Sequence, residues 1–354
     1  MAGDTDKSEI IRRLGLERED EVRELYRRAY QTKLEHVGPV VHFRGLIEFS
    51  NICGKNCHYC GIRSGNRRVR RFRMEAEEIL AAARWALDNH YGSVVLQAGE
   101  RQDEPHVAFV EALVRGIKEM SGSRLGVTLS LGEQSEETYR RWFAAGAHRY
   151  LLRIETSNAR LYRSLHPEDH DFAARLECLH ALRRAGYQVG TGVMVGLPGQ
   201  TLADLADDVL FFQSMDVDMI GMGPYIPHRD TPMAGCLGDF KAKRAAQLGL
   251  GLKMIAVTRL ALRDVNIAAA TALQALRPDG RELGLQAGAN IIMPVITETK
   301  YRAAYQLYDG KPCLDENASQ CRSCLQRRIE SIGETIGFDQ WGDSLHFRRR
   351  GSGS

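Results

Sequence analysis

Residues 40–60 read VVHFRGLIEFSNICGKNCHYC, an apolar, β-branched and aromatic stretch running straight into Cys53, Cys57 and Cys60 in a C-x3-C-x2-C spacing. The first half, Val41–Phe49, predicts a strand. The second half can bring three thiolates to one metal centre only as a loop that folds back on itself. Gly54 and Gly61 permit the tight turns such a loop needs. A helical pattern, Glu75–Asn89, follows.

The same alternation continues down the chain. Strands are predicted at Ser93–Gln97, Leu125–Leu131, Arg149–Glu155, Val189–Val195, Met219–Met222, Asn266–Thr271 and Ala289–Met293. Helical spacing marks Pro105–Ser121, Ser135–Ala145, Phe172–Ala185, Thr201–Ser214, Asp239–Ala261 and Pro278–Ala287, with glycines at several helix ends. Eight strands with intervening helices predict an α/β fold, a complete (β/α)8 TIM-type barrel around a parallel sheet. The expected division is an N-terminal helical segment (1–38), the barrel (39–296), a C-terminal extension (297–350) and a tag remnant (351–354). In such a barrel the chemistry gathers at the C-terminal ends of the strands.

The 354 residues suit one large barrel, and 44% hydrophobic with 26% charged residues exclude a disordered or low-complexity chain. No apolar run approaches the roughly 20 residues that span a bilayer, so no membrane partner is expected. Forty-eight Lys and Arg against 45 Asp and Glu leave a net charge of +3, too balanced for nucleic acid to be the main partner. The charged start, Met1–Arg13, lacks the apolar core of a signal peptide, so a cytoplasmic location is expected. In a reducing compartment clustered cysteines signal metal more often than disulfides, and six of the eight are clustered.

Three ligands in the first cluster, rather than four, is informative. A structural zinc closes with four ligands, and an ordinary Fe–S cluster takes four cysteines. Three cysteines on a [4Fe–4S] cube leave one iron open to an outside ligand. Zinc with His58 as fourth ligand is the alternative. The second group, Cys313, Cys321 and Cys324, has a weaker C-x7-C-x2-C spacing, and Cys178 and Cys236 read as buried apolar residues. Asn66–Arg73 carries five arginines. It is either a docking face for an acidic electron donor or a solvated edge with Phe72 tucked inward. Arg348–Arg350 read as a solvated tail.

CGKNCHYC (53–60) resembles the signature of the radical S-adenosylmethionine (SAM) superfamily, in which three cysteines hold a [4Fe–4S] cluster whose open iron binds SAM; an aromatic at Tyr59 is typical. Within that superfamily the chain resembles the HydE-like [FeFe]-hydrogenase maturases along nearly its whole length. The carrying segments are HFRGLIEFSNICGKNCHYCGIR (42–63), VVLQAGE (94–100), VTLSLGE (127–133), RYLLRIET (149–156), VGLPGQT (195–201), GMGPYIPHRDTP (221–232), GANIIMP (288–294) and YQLYDGKPC (305–313). The resemblance implies reductive cleavage of SAM to methionine and a 5′-deoxyadenosyl radical. In HydE-like enzymes this radical attacks the sulfur of an iron-bound cysteine complex delivered by the maturase HydG, on the way to the hydrogenase H-cluster. Methylornithine synthase, a carbon-skeleton mutase, and biotin synthase, which inserts sulfur, are relatives with other substrates. A non-catalytic Fe–S electron carrier is the alternative from a different class.

Charge and resemblance together assign Tyr59, Gln97, Ala98, Gly99, Glu100, Glu155, Arg175 and Met194 to SAM. The QAGE segment would accept from the amino group, Arg175 would take the carboxylate as a planar fork, Glu155 would meet amino or ribose groups, and the apolar stretch around Met194 would lie under adenine. Arg44, Thr128, Arg153, Thr271 and Tyr305 are assigned to substrate. The duller readings are an Arg153–Glu155 ion pair, strand packing for Thr128 and Thr271, and a core position for Tyr305. Cys313, Cys321 and Cys324 match positions that in some HydE-like proteins bind an accessory cluster, [4Fe–4S] or [2Fe–2S]; zinc or empty thiols are the alternatives. The implied partners are a small-molecule or iron-complex substrate, a flavodoxin- or ferredoxin-type electron donor, and the maturases HydG and HydF. Ile154 stands where the family usually has histidine, Ala270 where it has a threonine, and Val295-Ile296 where it has a polar-aromatic pair. Each change removes hydrogen-bonding capacity near the expected substrate.

Overall fold

Strand β1 (Val40–Ser50) is buried along nearly its whole length because both of its faces are covered. Val41, Phe43, Ile47 and Phe49 join the main apolar core, whereas Leu46 packs with Val95 and Val295 in a separate interior cluster. In this computed structural model, which describes residues 6–351, seven further strands follow. They are β2 (Ser93–Ala98), β3 (Gly126–Ser130), β4 (Arg149–Leu151), β5 (Gln188–Thr191), β6 (Met219–Ile220), β7 (Asn266–Ile267) and β8 (Ile291–Ile292). All pair in parallel, in the order β8-β1-β2-β3-β4-β5-β6-β7. A single bridge between Ala268 and Ile291 brings the two ends of that order together, so the sheet forms a nearly closed eight-stranded barrel.

Helices cover the outside, and their starts follow local chemistry. Glu75 and Glu78 cap each other's backbone at the helix Ala76–Asp88, Asp103 caps Glu104–Met120 with Pro105 in its first turn, and Thr201 with Asp204 forms a capping box. Among the described residues no helix is long and apolar enough to cross a membrane.

Several predicted boundaries need correction. The stretch Val189–Val195 is split: β5 stops at Thr191, and Met194–Val195 pairs with Gly223–Pro224 in a small second sheet above the barrel. Asn266–Thr271 ends as a strand at Ile267, because the chain turns past the bridged Ala268 and Thr271 opens the helix Thr271–Leu276. Cys178 is half-buried against the main core and Cys236 is exposed, so neither is fully buried. The arginines near the C-terminus are not a free tail: Arg349 pairs with Asp264, and Arg350 pairs with Asp216 at 2.7 Å and Asp218 at 3.0 Å. Residues 352–354 of the expected tag remnant and residues 1–5 lie outside the described residues.

The C-terminal residues are woven into the barrel. Thr335–Ile336 pairs with the start of β1, and residues 341–344 close the floor. There Arg149, fully buried, donates from Nη1 to Asp343 at 2.7 Å and to the Trp341 carbonyl at 2.8 Å. Gly342 accepts at its carbonyl from Arg44 Nη2 at 3.0 Å and Asn266 Nδ2 at 2.9 Å. Burial alone would raise the Asp343 carboxyl, but its hydrogen bond with His148 and the Arg149 charge hold it well below the usual carboxylate range. A depressed carboxylate contributes stability that is fully present above its unfolded pKa of about 3.9 and is lost as pH falls below it. Asp343→Asn is therefore expected to cost ~2 kcal/mol at neutral pH and to flatten the loss of melting temperature in acid. Thermal melts from neutral pH down through that pKa check this.

Candidate active site

The cysteine loop leaves the top of β1 and is pinned at both ends. At its start the Gly54 N–H donates to the Glu100 carbonyl at 2.8 Å, the Gly99 N–H to the Ser50 carbonyl at 2.9 Å, and the Glu100 N–H to Cys53 Sγ at 3.3 Å. At its end the Gly61 N–H donates to the Leu307 carbonyl at 3.0 Å. The loop of β2 must lie against it without a side chain: a Cβ on Gly99 would meet the Ile52 carbonyl oxygen at 2.4 Å and Cys53 Cβ at 2.7 Å. Gly99→Ala is expected to push the cysteine loop outward, at ~1–3 kcal/mol of overpacking strain, and to lower iron uptake on anaerobic reconstitution. Iron content per chain, beside the melting temperature, is the check.

The donor set fits an iron–sulfur cluster and not a single ion. Burial pushes the Cys57 thiol up to about 12 and raises Cys53 and Cys60 as well. Such thiols become thiolates only against a strong local cation. Among the described residues only Cys313, Glu316 and Cys321 form a set whose ligand atoms all lie within 4.8 Å of one another. At least one pair among the sulfurs of Cys53, Cys57 and Cys60 is therefore more than 4.8 Å apart, beyond the ~3.8 Å implied by Zn–S bonds of about 2.3 Å at a tetrahedral zinc. The His58 ring meets the Ser164 carbonyl at 3.3 Å instead.

A cavity of about 330 Å³ opens beside this loop at the C-terminal ends of the strands. Tyr59, Gln97, Ala98, Gly99, Glu100, Glu155, Arg175 and Met194 all line it, and so do Arg153, Thr271 and Tyr305. Its charged wall is self-paired. Arg175 Nε lies 2.7 Å from Glu133, Lys55 Nζ 2.8 Å from Glu133 and 3.4 Å from Glu100, and Arg153 Nη2 3.0 Å from Glu155. Burial raises the Glu100 carboxyl despite the nearby Arg175 charge. The Arg175–Glu133, Lys55–Glu100 and Arg153–Glu155 pairs are not aligned as hydrogen bonds, and Arg153 Nε is buried with no hydrogen-bond partner among the described residues. Buried polar atoms in that state are suited to a zwitterionic ligand. Glu155 also holds φ +66, its N–H donating to the Gly192 carbonyl at 3.0 Å and its carbonyl accepting from the Met194 N–H at 2.9 Å, either side of Val193. Left-handed backbone at a non-glycine residue is a strain that concentrates at functional sites.

Two substrate assignments do not reach this cavity. Arg44 and Thr128 lie lower, on the floor side, where Arg44 is bound to the Gly342 carbonyl and Thr128 Oγ1 accepts from Arg149 Nε at 2.9 Å. They line a void of about 20 Å³ beneath it. Ile154 also faces away, into the main core, between the cavity residues Arg153 and Glu155. Of the family departures named above, Ala270 and Val295 line the cavity.

Sequence reasoning missed three charged residues that line the cavity, Glu48, Lys55 and Lys311, and a fourth, Glu133, that pairs with Lys55 and Arg175 from behind the lining. Lys311 Nζ donates to both Glu48 oxygens at 2.6 Å and to the Tyr305 carbonyl at 3.0 Å, and Gln97 donates to the Tyr305 hydroxyl at 3.2 Å. Lys55 and Glu133 stand inside quoted motifs, CGKNC and SLGE, but carried no assignment.

The second cysteine group is arranged differently from expectation. Cys313 and Cys321 come together with Glu316, whereas Cys324, one helical turn on from Cys321 in Ala318–Ser331, lies against Arg328. The hydrogen bond from Cys321 holds the Cys313 thiol below the usual thiol range. The clustered set is thus two thiols and a carboxylate rather than three thiols.

Comparison with known proteins agrees with this geometry. Residues 47–212 match the family model of the radical SAM superfamily. The chain is 47% identical over 321 residues to the [FeFe] hydrogenase maturase subunit HydE of Thermotoga maritima, covering 90% of this chain and 88% of that protein. It is 28% identical over 326 residues to the 3-methylornithine synthase of Methanosarcina barkeri, at 90% and 87% coverage. The crystal structure of methylornithine synthase (PylB) superposes with a TM-score of 0.80 at 25% identity, covering 94% of each chain. Enzymes of the superfamily use a [4Fe–4S] cluster and SAM, and the donor set and cavity fit both. The chain belongs to the radical SAM superfamily of enzymes and, within it, to the HydE family.

Proposed function

We propose that this enzyme is a hydrogenase maturase that joins the deoxyadenosyl group of SAM to the sulfur of an iron-bound cysteine complex during H-cluster assembly, working with HydG and HydF in the cytoplasm. The observation that carries this reading is the 47% identity to Thermotoga maritima HydE over nine-tenths of the chain. When bound, the cluster and SAM supply a 5′-deoxyadenosyl radical on one-electron reduction. The chain's own residues bind, orient and exclude water. Cys53, Cys57 and Cys60 hold the cluster. Gln97, Ala98, Gly99 and Glu100 receive the amino group of SAM. Arg175, held ready by Glu133, takes the carboxylate, while Glu155 meets the ribose or amino group, and Met194 with Tyr59 walls the adenine. Arg153, Thr271 and Tyr305 face the substrate, and the buried Glu48–Lys311 pair closes that end against water. An accessory Fe–S group at Cys313 and Cys321 belongs to the same proposal. It requires Cys324 to swing off Arg328, or Glu316 to serve in its place.

Expression in a hydrogenase-producing host whose own HydE gene is deleted tests the reading, with hydrogen evolution as the measure. Restored activity is the expected result. Unrestored activity from a protein that cleaves SAM would move the assignment to another substrate. The specific alternative is a methylornithine synthase-like mutase, favoured by the full-length structural likeness to PylB and by the methyl of Ala270 in the cavity. Formation of 3-methylornithine in the presence of SAM would reveal it.

A further inference from the structure

The active cavity needs one electron from outside the chain, and the outer flank of the cysteine loop has the character of a reception face; this inference rests on the radical SAM reading. From Cys53 to Met74 the chain has seven Lys and Arg and no Asp or Glu. The arginine run is not a loose edge. Arg71 turns inward, and its guanidinium donates to the carbonyls of Asn51 and Ile62 at 2.7 Å, Arg63 at 2.6 Å and Asn66 at 3.1 Å. The Asn51 side chain donates to the Arg70 carbonyl and accepts from the Phe72 N–H, both at 2.8 Å, and Ser50 bridges Arg73. These contacts weld the run to both ends of the loop that carries Cys53, Cys57 and Cys60.

Arg67, Arg68, Arg70 and Arg73 then point outward and are exposed. Beside them Ile52, the residue before Cys53, is one of the few exposed large apolar side chains, at 36%. Internal counter-charge on the face is thin. Arg68 meets Asp230 at 2.7 Å, but Arg70 reaches only the Lys300 carbonyl at 3.1 Å and Arg73 lies over the Phe109 ring at 5.3 Å. An apolar centre with a cationic rim steers and seats an acidic partner.

We propose that the face formed by Ile52, Arg67, Arg68, Arg70 and Arg73 docks an acidic one-electron carrier protein of flavodoxin or ferredoxin type, with Arg71 keeping that face rigid against the cysteine loop. In the step it serves, the reduced carrier loses one electron and the oxidised cluster gains it; no bond or proton moves.

The test uses the full-length, cluster-loaded protein and a purified flavodoxin. Flavodoxin binding to the wild type, measured by calorimetry, is expected to weaken steeply between about 0.05 and 0.2 M salt. In R67E/R70E/R73E it is expected to be at least roughly tenfold weaker and nearly independent of salt. Formation of 5′-deoxyadenosine driven by reduced flavodoxin should fall with it, while dithionite-driven formation stays at the wild-type rate. R67K/R70K/R73K, which keeps the charge, should retain flavodoxin binding. Undiminished flavodoxin binding in the charge-reversed variant would overturn the proposal. So would an equal loss with dithionite, which would mean that the arginines only hold the loop in shape. A wild type that binds flavodoxin but cleaves no SAM with dithionite would instead sink the radical SAM reading.

Discussion

Cys57→Ala is expected to leave a folded protein that takes up far less iron and forms no measurable 5′-deoxyadenosine. The sulfur lines the cavity rather than the main apolar core, so its removal opens no hole under the helices. The loop keeps its shape through backbone contacts at its two ends, from Gly54, Gly99 and Gly61, none of which involves the Cys57 side chain. What is lost is one of three thiolates, and two cannot hold a cube against its own exchange with solvent. The expected fall in SAM cleavage is at least ~10³-fold, equivalent to about 4 kcal/mol in the barrier. Iron content, the cluster's visible absorption and product formation under dithionite check it together. Wild-type cleavage in this variant would contradict the ligand assignment.

Glu334→Ala should have the largest effect on stability. Lys33, in the helix Glu19–His36, and Glu334, just before Thr335–Ile336, form an ion pair with no solvent exposure on either side chain. Burial lowers the Lys33 amine to about 8 even with Glu334 beside it. Removing the carboxylate strands that buried amine near the Arg259 charge, which costs about 3–5 kcal/mol and should lower the melting temperature by on the order of 5–10 °C. The double variant Lys33→Met/Glu334→Leu should recover most of the loss, because well-packed apolar groups avoid the desolvation cost. A single-variant loss below ~1 kcal/mol would mean that water reaches the pair.

The barrel was legible because its periodicities are local. The run from Val40 into the cysteine loop, and the capped helices after it, each carry their signal within a dozen residues. Strand ends were not legible where pairing decides them: β6, β7 and β8 are two residues long, held by neighbours far away in sequence. The same limit misassigned Arg44 and Thr128. Alternation along a strand says that a side chain points inward, but not whether it meets the mouth or the floor. The floor is built by residues 341–344, nearly 300 residues from Arg44 in the case of Gly342. The Glu48–Lys311 pair spans 263 residues and left no local trace. Ile154 shows the converse. Its neighbours Arg153 and Glu155 line the cavity while it enters the core, so an apolar residue there says little about substrate. The difference from the family pattern that bears on substrate therefore narrows to Ala270 and Val295.

The most direct test of the proposed activity is to mix the reduced, cluster-loaded enzyme with SAM and the iron–cysteine complex made by HydG, then analyse the quenched mixture by mass spectrometry. The account predicts an adduct in which the deoxyadenosyl carbon is joined to the cysteine sulfur, formed with consumption of SAM. Release of free 5′-deoxyadenosine with the iron-bound cysteine left unmodified would contradict it.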